Sequence, residues 1–592
     1  MVKIICRKKR NPSTKYILFF NYNKNIIDRI KSLPEGSREY NSNNKTWELT
    51  SILLYDLIKS YKGSKDIFFD FESENNKQIF LKSIEIEKDI LIEKERNLQS
   101  EKQKQIAAKK LKDYLNENAN LISYSEYLNK DITPFNHQLV GAKLFYEFEK
   151  FIISADMGTG KTLMAILGCE MKRFKKVLVI VPNNLKLNWR NEIKTFTSSK
   201  WFILNPQKKK TNIYTIEESK YIIVNYEYFR DARFNPKIKL NKLGLNPSDI
   251  DCIVMDEAHR IKNPESNTTK NILSNFKNIN GTLLLSGTIM PNRLEELYVI
   301  TKLILPNEVK NKSYFFENFC GKIYDKTIGL YVDKEGFNLD DVFNKLDGIM
   351  YRVKKHDVLK DLPEMIVSKI DLELTSEQQK QYELIESGFF GIDLTDYKEN
   401  AHKLSILNKL RQFTSKIKCG SFLVDFIQNL NNVGEKVVIF DVYKAGLKEL
   451  SDIVPNSKYY SGDVSPDERQ NIVDQFQDKN NTDVMNLFIT LQSGNAGITL
   501  TAANYMILLN QSYVPGENLQ AYSRINRIGA KNTSNIYILC LEDTIDQDVY
   551  NLNQEKIKLI SKVIDNVDYI DNANRSVLDE LFSKIENKYK KK

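Results

Sequence analysis

Hydrophobic and polar positions along this chain change period several times, and each change marks an element. Between residues 126 and 305, short apolar runs recur at Phe151–Ile153, Val177–Val181, Ile222–Val224, Cys252–Met255 and Leu283–Leu285. Helical stretches separate them. Continuous apolar runs are what strands buried on both faces require, so the pattern predicts a parallel sheet covered by helices. From Lys436 a second series begins, with runs at Val437–Phe440, Leu487–Thr490, Tyr505–Leu509 and Ile536–Leu541. Residues 306–430 read as mostly helical, with a strand signal at Val367–Leu374. The predicted fold class is α/β: two tandem parallel-sheet units with helical insertions.

The flanks have other patterns. Residues 1–75 predict a small α+β module, with a strand at Tyr16–Phe20, a helix at Lys24–Ser32, a hairpin at Tyr40–Trp47 turning at Asn43-Asn44, and a helix at Leu53–Tyr61. Residues 83–117 interleave Glu, Lys and Gln with Ile and Leu and predict one long charged helix with a solvated face. The division that follows is 1–75 accessory module, 76–125 charged helical linker, 126–305 first α/β unit, 306–430 helical bridge, 431–565 second α/β unit, and 566–592 helical basic tail.

Composition narrows the class. A length of 592 residues allows roughly three to five domains at ~150 residues each. Hydrophobic residues at 41% supply full cores and exclude a disordered chain. The net charge of +10 leans toward a polyanionic partner. Six scattered cysteines with no C-x-x-C pair argue against zinc and against a disulfide framework. No apolar run reaches the ~18 residues of a membrane span, and no signal peptide opens the chain. The expectation is an intracellular protein, in the cytoplasm of a prokaryote or of a virus-infected host cell. The nucleus stays open, because Arg7-Lys8-Lys9-Arg10 reads either as an import tag or as the solvated start of a strand.

Three stretches carry chemistry. In Ala155-Asp156-Met157-Gly158-Thr159-Gly160-Lys161-Thr162, a glycine loop follows an apolar run and precedes a helix, as in a phosphate-binding loop. Its glycines turn backbone N–H groups toward phosphates, and the helix N-terminus adds partial positive charge. Lys161 is expected at the β- and γ-phosphates and Thr162 on magnesium. Ala155 stands where the full pattern has its first glycine. The second stretch, Val254-Met255-Asp256-Glu257-Ala258-His259, ends a strand, where parallel sheets place ligand sites. Asp256 is expected to hold magnesium and Glu257 to polarise an attacking water. In the third, Gln520 to Gly529, Arg524 and Arg527 stand three apart and share a helix face. Opposite a phosphate loop they would act as arginine fingers.

Together these residues resemble the Swi/Snf-type branch of superfamily II helicases and translocases, over roughly residues 130–550 and in the family's order. Pro134 to Gln138 resembles its adenine-reading motif. Pro182, Leu185, Asn188 and Trp189 resemble the segment after the second strand. Leu285-Ser286-Gly287-Thr288, Tyr351 to Leu359 with Leu362-Pro363, Ser461-Gly462 with Arg469 and Phe476, and Gln492 to Thr501 resemble later motifs. Asn526 stands where the family usually has His, and Ala530 where it has Gln. The resemblance implies two RecA-like lobes with ATP and Mg2+ between them. It implies Gln138 and Asp156, Met157, Gly158, Thr159, Gly160, Lys161 and Thr162 at the nucleotide, and Asn188, Thr288, Ser493 and Thr499 at DNA phosphates. The stretch from Phe20 to Leu49 resembles the HARP domain of annealing helicases, through a tyrosine before a helix, an Ile-Lys pair, Tyr40 and Trp47.

The expected function is an ATP-dependent DNA translocase on duplex DNA, forks or single-strand/duplex junctions, acting as an annealing helicase or fork remodeller. Single-strand-binding or replication proteins are expected partners. The alternatives are a strand-separating helicase and an ATPase that displaces proteins such as RNA polymerase from DNA.

Overall fold

The structure is a computed structural model. It describes residues 2–9, 15–33, 38–42, 44–61, 64, 66–204, 214–230, 247–276, 279–325, 330–389, 397–494, 498–527 and 529–565. Of the sequence readings above, Arg10, Asn43, Asn495, Ala496, Gly497 and the tail 566–592 lie outside the described residues.

Two compact units divide the chain at Gln103/Lys104. In the first, β1 (Val2–Lys8), β2 (Lys15–Phe19), β3 (Arg38–Asn41), β4 (Thr46–Thr50) and β5 (Ile67–Asp70) form one sheet, ordered β3-β4-β2-β1-β5. Only β1 and β5 run parallel. Helices Lys24–Lys31 and Ser51–Ser60 cover it, burying Ile26, Ile30, Leu54 and Leu57 against Ile4, Leu18 and Leu49. Asn23 starts the first helix by accepting from Ile26 N at 3.2 Å. Tyr40 and Trp47 pair across β3 and β4 with ring centroids 5.0 Å apart.

The second unit holds the two expected RecA-like lobes. Lobe 1 is built on β6 (Lys150–Ala155), β7 (Val177–Val181), β8 (Trp201–Ile203), β9 (Tyr221–Asn225), β10 (Cys252–Asp256) and β11 (Gly281–Ser286). A separate hairpin follows, β12 (Lys322–Asp325) and β13 (Leu330–Asp333). Next, β14 (Met350–Val353) returns to the lobe 1 sheet. The order is β14-β6-β11-β10-β7-β9-β8, parallel throughout. Alternate residues serve opposite faces: Ile253 and Met255 join one core, Cys252 and Val254 the other. That two-sided burial is why these strands read as unbroken apolar runs.

Lobe 2 is built on β15 (Met365–Leu372), β16 (Val437–Asp441), β17 (Ser457–Tyr460), β18 (Asn486–Thr490), β19 (Tyr505–Leu508) and β20 (Ser534–Leu541), ordered β15-β20-β19-β16-β18-β17 and all parallel. The bridge thus contributes a strand to each sheet, β14 to lobe 1 and β15 to lobe 2. Helix Ile545–Asp565 leaves lobe 2, where Ile545, Val549 and Leu552 are buried, and ends in the lobe 1 core with Leu559, Val563 and Ile564. At ~1.5–3 kcal/mol per fully buried aliphatic side chain, that end is firmly seated.

The charged helix runs from Glu74 to Glu117. Its later turns differ from the expected solvated face. Ala108 and Leu115 are buried in a lobe 1 core, Lys109 and Lys112 both pair with Asp347, and Gln105 donates to Glu308 at 2.8 Å. Two apolar positions seven apart make a stripe too narrow to stand out among charges. All six cysteines are free thiols. Among the described residues, no helix is long and apolar enough to cross a membrane.

Candidate functional site

The loop after β6 is shaped by two residues in the left-handed region, Gly158 (φ +83°) and Gly160 (φ +84°). Gly160 has a second reason to lack a side chain: a β-carbon there would stand 2.1 Å from Gln138 Nε2. Gln138 braces the loop from helix Asn136–Phe148. Its Oε1 accepts from Phe135 N at 3.0 Å, and its Nε2 donates to the Thr159 carbonyl at 3.1 Å. His137 Nε2 lies 2.9 Å from the same carbonyl, which can only accept, so Nε2 carries the proton. Burial lowers the His137 pKa and keeps the ring neutral.

Lys161 opens helix Lys161–Met171 and folds back over the loop, donating to the Ala155 carbonyl at 2.8 Å and the Asp156 carbonyl at 3.3 Å. Burial lowers its pKa, opposed by Glu257, Asp256 and Asp156. Thr159 Oγ1 donates to the Asp156 carbonyl at 2.8 Å. The Asp156 side chain turns the other way, accepting from Arg352 Nη1 at 2.7 Å and Lys355 N at 2.9 Å.

β10 ends at Asp256, a buried carboxylate with three local ties. Trp189 Nε1 donates to Oδ2 at 2.8 Å, Glu257 N donates to Oδ1 at 2.9 Å, and the Tyr226 hydroxyl donates to its carbonyl at 2.8 Å. Burial, then the neighbouring Glu257, push its pKa up to about 6. Glu257 takes left-handed backbone (φ +52°), a strained choice for a residue with a β-carbon. Its Oε2 is buried with no hydrogen-bond partner among the described residues, 3.4 Å from His259 Nδ1. Burial, then Lys262 and Arg260, hold the His259 pKa at about 4, so the ring is neutral; Nδ1 is 3.1 Å from Ser286 Oγ. On helix Lys186–Phe196, Glu192 accepts from Asn188 Nδ2 at 2.8 Å; burial raises its pKa, opposed by Asn188 and the Thr162 hydroxyl.

Lobe 2 faces this floor with the turn after helix Pro515–Tyr522. Arg524 is 1% exposed, and burial, then Arg527, lower its pKa to about 9. Arg527 Nη1 donates to Thr499 Oγ1 at 2.8 Å, and its pKa is lowered by burial, opposed by Glu192 and Glu257. The approach is close: a β-carbon on Gly158 would stand 3.7 Å from Arg527 Cγ. The cavity between the lobes, about 1010 Å3, is lined by Lys161, Thr162, Asp256, Glu257, Arg524 and Arg527 together.

The remaining sequence-derived positions distribute as follows. Met157 lines the cavity, and its Sδ accepts from Ser523 Oγ at 2.9 Å across the lobe boundary. Asn188, Thr288 and Thr499 line the same cavity. Thr288 Oγ1 accepts from Gln520 Nε2 at 3.5 Å. Ser493 accepts from Thr490 Oγ1 at 2.8 Å. Trp189, placed by the resemblance in the segment after the second strand, donates to Asp256. Glu192 was not singled out, and Lys355 entered only as one residue of the Tyr351–Leu359 stretch with no role of its own, although both touch motif residues.

Comparison with known proteins places these motifs in a wider set. Residues 70–419 match the SNF2-related domain, and residues 420–529 match the helicase conserved C-terminal domain. An uncharacterized ATP-dependent helicase of Mycoplasma pneumoniae is 28% identical over 505 residues, covering 80% of this chain and 46% of that protein. The human DNA annealing helicase and endonuclease ZRANB3 is 24% identical over 466 residues, covering 76% and 42%. The uncharacterized ATP-dependent helicase YqhH of Bacillus subtilis is 24% identical, covering 74% and 81%. The chain thus spans less than half the length of the first two. Among solved structures, the Sulfolobus solfataricus SWI2/SNF2 ATPase core in complex with dsDNA is 23% identical, covering 75% of this chain and 95% of that one, with a TM-score of 0.35.

Proposed function

This chain belongs to the SNF2-related family, whose domain covers residues 70–419, and on that premise we propose that it is a DNA-dependent ATPase that translocates on duplex or branched DNA. The observation that carries the reading is the shared cavity: the phosphate loop and Asp256-Glu257 of lobe 1 meet Arg524 and Arg527 of lobe 2 across one space. A site divided between two lobes makes nucleotide state and lobe closure one variable, which is what a motor needs.

ATP is the substrate this lining suits. Lys161 and the N–H groups of the glycine loop would hold its phosphates. Glu257, whose Oε2 has no hydrogen-bond partner among the described residues, would orient and polarise the attacking water. Arg524 and Arg527 would stabilise charge developing on the transferred phosphoryl group. The site also fits magnesium, because the Thr162 hydroxyl and the Asp256 carboxylate are hard oxygen donors whose lone pairs are only partly used. When bound, magnesium supplies charge neutralisation at the phosphates. Trp189 keeps Asp256 oriented for that role. Trp189→Phe is therefore expected to raise the magnesium needed for half-maximal turnover by about 10-fold, a typical effect of removing a partner behind a ligand. A magnesium titration of ATPase rate checks this, and an unchanged midpoint removes the assignment.

DNA enters the proposal as the activating partner, gripped through its backbone without reading sequence. Asn188, Thr288 and Thr499, which line the cavity, and Ser493 are the proposed contacts to DNA phosphates. The first unit, with its HARP-like Tyr40–Trp47 pair, is proposed to direct the motor to forks or single-strand/duplex junctions, for annealing or fork remodelling beside single-strand-binding or replication proteins. The deciding experiment is steady-state ATPase rate with no nucleic acid, single strand, plain duplex and a forked junction at fixed salt, because phosphate-driven binding falls steeply with salt. The expected result is stimulation by the fork above plain duplex. Equal stimulation leaves a duplex translocase with no fork role. No stimulation by any DNA transfers the reading to a protein-displacing ATPase.

A further inference from the structure

Lys355 lies just past β14, on the lobe 1 side of the crossover between lobes. Its two ends are fixed to two different machines. Its backbone N–H donates to Asp156 Oδ2 in the phosphate loop at 2.9 Å. Its ammonium crosses the lobe boundary and donates to the main-chain carbonyl of Asn526, with Asn526 Oδ1 at 3.5 Å. Asn526 sits between Arg524 and Arg527. Its own amide returns to the crossover, donating to the Pro363 carbonyl at 3.0 Å. Behind Lys355, Arg352 holds the other oxygen of Asp156 at 2.7 Å and Asp565, at the end of the long lobe 2 helix, at 2.8 Å.

A lysine is a costly way to fill this position. Burial, then Arg527, lower its pKa to about 8, and Lys161 and Arg524 add further repulsion. An apolar side chain would pack here without bringing another cation beside them. What the ammonium adds is a directed hydrogen bond to one carbonyl, and that carbonyl belongs to the arginine turn.

We infer that Lys355 is a positioning residue that ties the phosphate loop to the arginine turn, so that Arg524 and Arg527 reach their working places only when its ammonium is seated on Asn526. It touches no substrate itself; it acts through the arginines. The Asn526 main chain supplies the acceptor. The inference rests on the ATPase reading above.

The test is DNA-stimulated ATP hydrolysis by Lys355→Met, with ATP binding measured separately by equilibrium titration. Turnover should fall by ~10- to 100-fold, the cost of misplacing a reacting group, while the nucleotide dissociation constant stays within about twofold. Lys355→Arg, which keeps charge and reach, should recover part of the loss. In an Arg527→Ala background, Lys355→Met should cost less than about twofold more, because the two act through one element. Melting temperatures separate loss of turnover from loss of fold; should Lys355→Met fail to fold, Lys355→Gln carries the same turnover test. Wild-type turnover in the folded variant, or effects that multiply in the double variant, would overturn the inference. Lys161→Ala marks the background: if it turns over like wild type, the ATPase site itself is wrong, and if it is dead while Lys355→Met is unaffected, only the positioning role fails.

Discussion

Lys161→Ala is expected to lower kcat/KM for ATP by at least ~10²–10³-fold, the scale of losing one preorganised electrostatic partner from a water-poor site. Lys161 is half-buried, and desolvation lowers its pKa. It is steadied by two backbone carbonyls, Ala155 O and Asp156 O. Those carbonyls aim it into the loop rather than merely solvate it. Asp256 and Glu257 supply opposing charge nearby. Removing the ammonium therefore leaves a cavity whose remaining loop groups are neutral N–H donors, while two carboxylates face the incoming phosphates unopposed from that side. Lys161→Arg should not rescue, since a planar guanidinium does not fit the same carbonyl pair. Stability should change little, because relief of the ammonium's desolvation is set against the loss of its opposing charge beside Glu257, Asp256 and Asp156. Nucleotide titration, ATPase rates and thermal melts report these three statements together. Turnover at the wild-type rate would remove Lys161 from the mechanism.

Much of this site is legible without a structure because each motif is local. Gly158 and Gly160 announce left-handed backbone, and a loop with two such residues between a strand and a helix has few conformations open to it. The unbroken runs of β7 and β10 announce burial on both faces. The contacts that escaped notice work at long range. Trp189 and Asp256 are 67 residues apart, and Lys355 and Asn526 are 171 apart. Nothing in the neighbourhood of Trp189 says that its indole N–H, rather than its ring surface, is the working part. The bridge misled for a different reason. β14 is only four residues long, too short for a period-2 pattern to register, and its place beside β6 depends on pairing with a strand far back in the chain. The final helix shows the same effect: Leu552 and Leu559 lie on one amphipathic face, yet they enter cores in different lobes.

Arg524→Ala and Arg527→Ala are each expected to reduce DNA-stimulated turnover by ~10³-fold or more, the range of arginine fingers in phosphoryl transfer. The argument is electrostatic. Arg524 is buried and Arg527 half-buried, burial lowers both pKa values, and Arg524 stands in the field of Arg527. Glu192 and Glu257 offset only part of this for Arg527, and Glu257 part of it for Arg524. Two like charges held this way are an unfavourable arrangement until a polyanion enters the cavity, so closure of the lobes and arrival of the triphosphate stabilise one another. It follows that nucleotide should raise the melting temperature of the wild type more than that of either variant. Binding measured by titration should weaken far less than turnover, because the phosphate loop lies wholly in lobe 1. The arginines differ in one respect: Arg527 is tethered to Thr499 Oγ1, so Thr499→Val should reproduce a fraction of the Arg527 loss. Lysine should not replace either arginine, since a point charge lacks the fork that spans two phosphate oxygens. If Arg527→Ala hydrolysed ATP at the wild-type rate while Lys161→Ala did not, the cavity would still bind nucleotide through lobe 1. Lobe 2 would then have no part in the chemistry, and the coupling of hydrolysis to lobe movement would need another route.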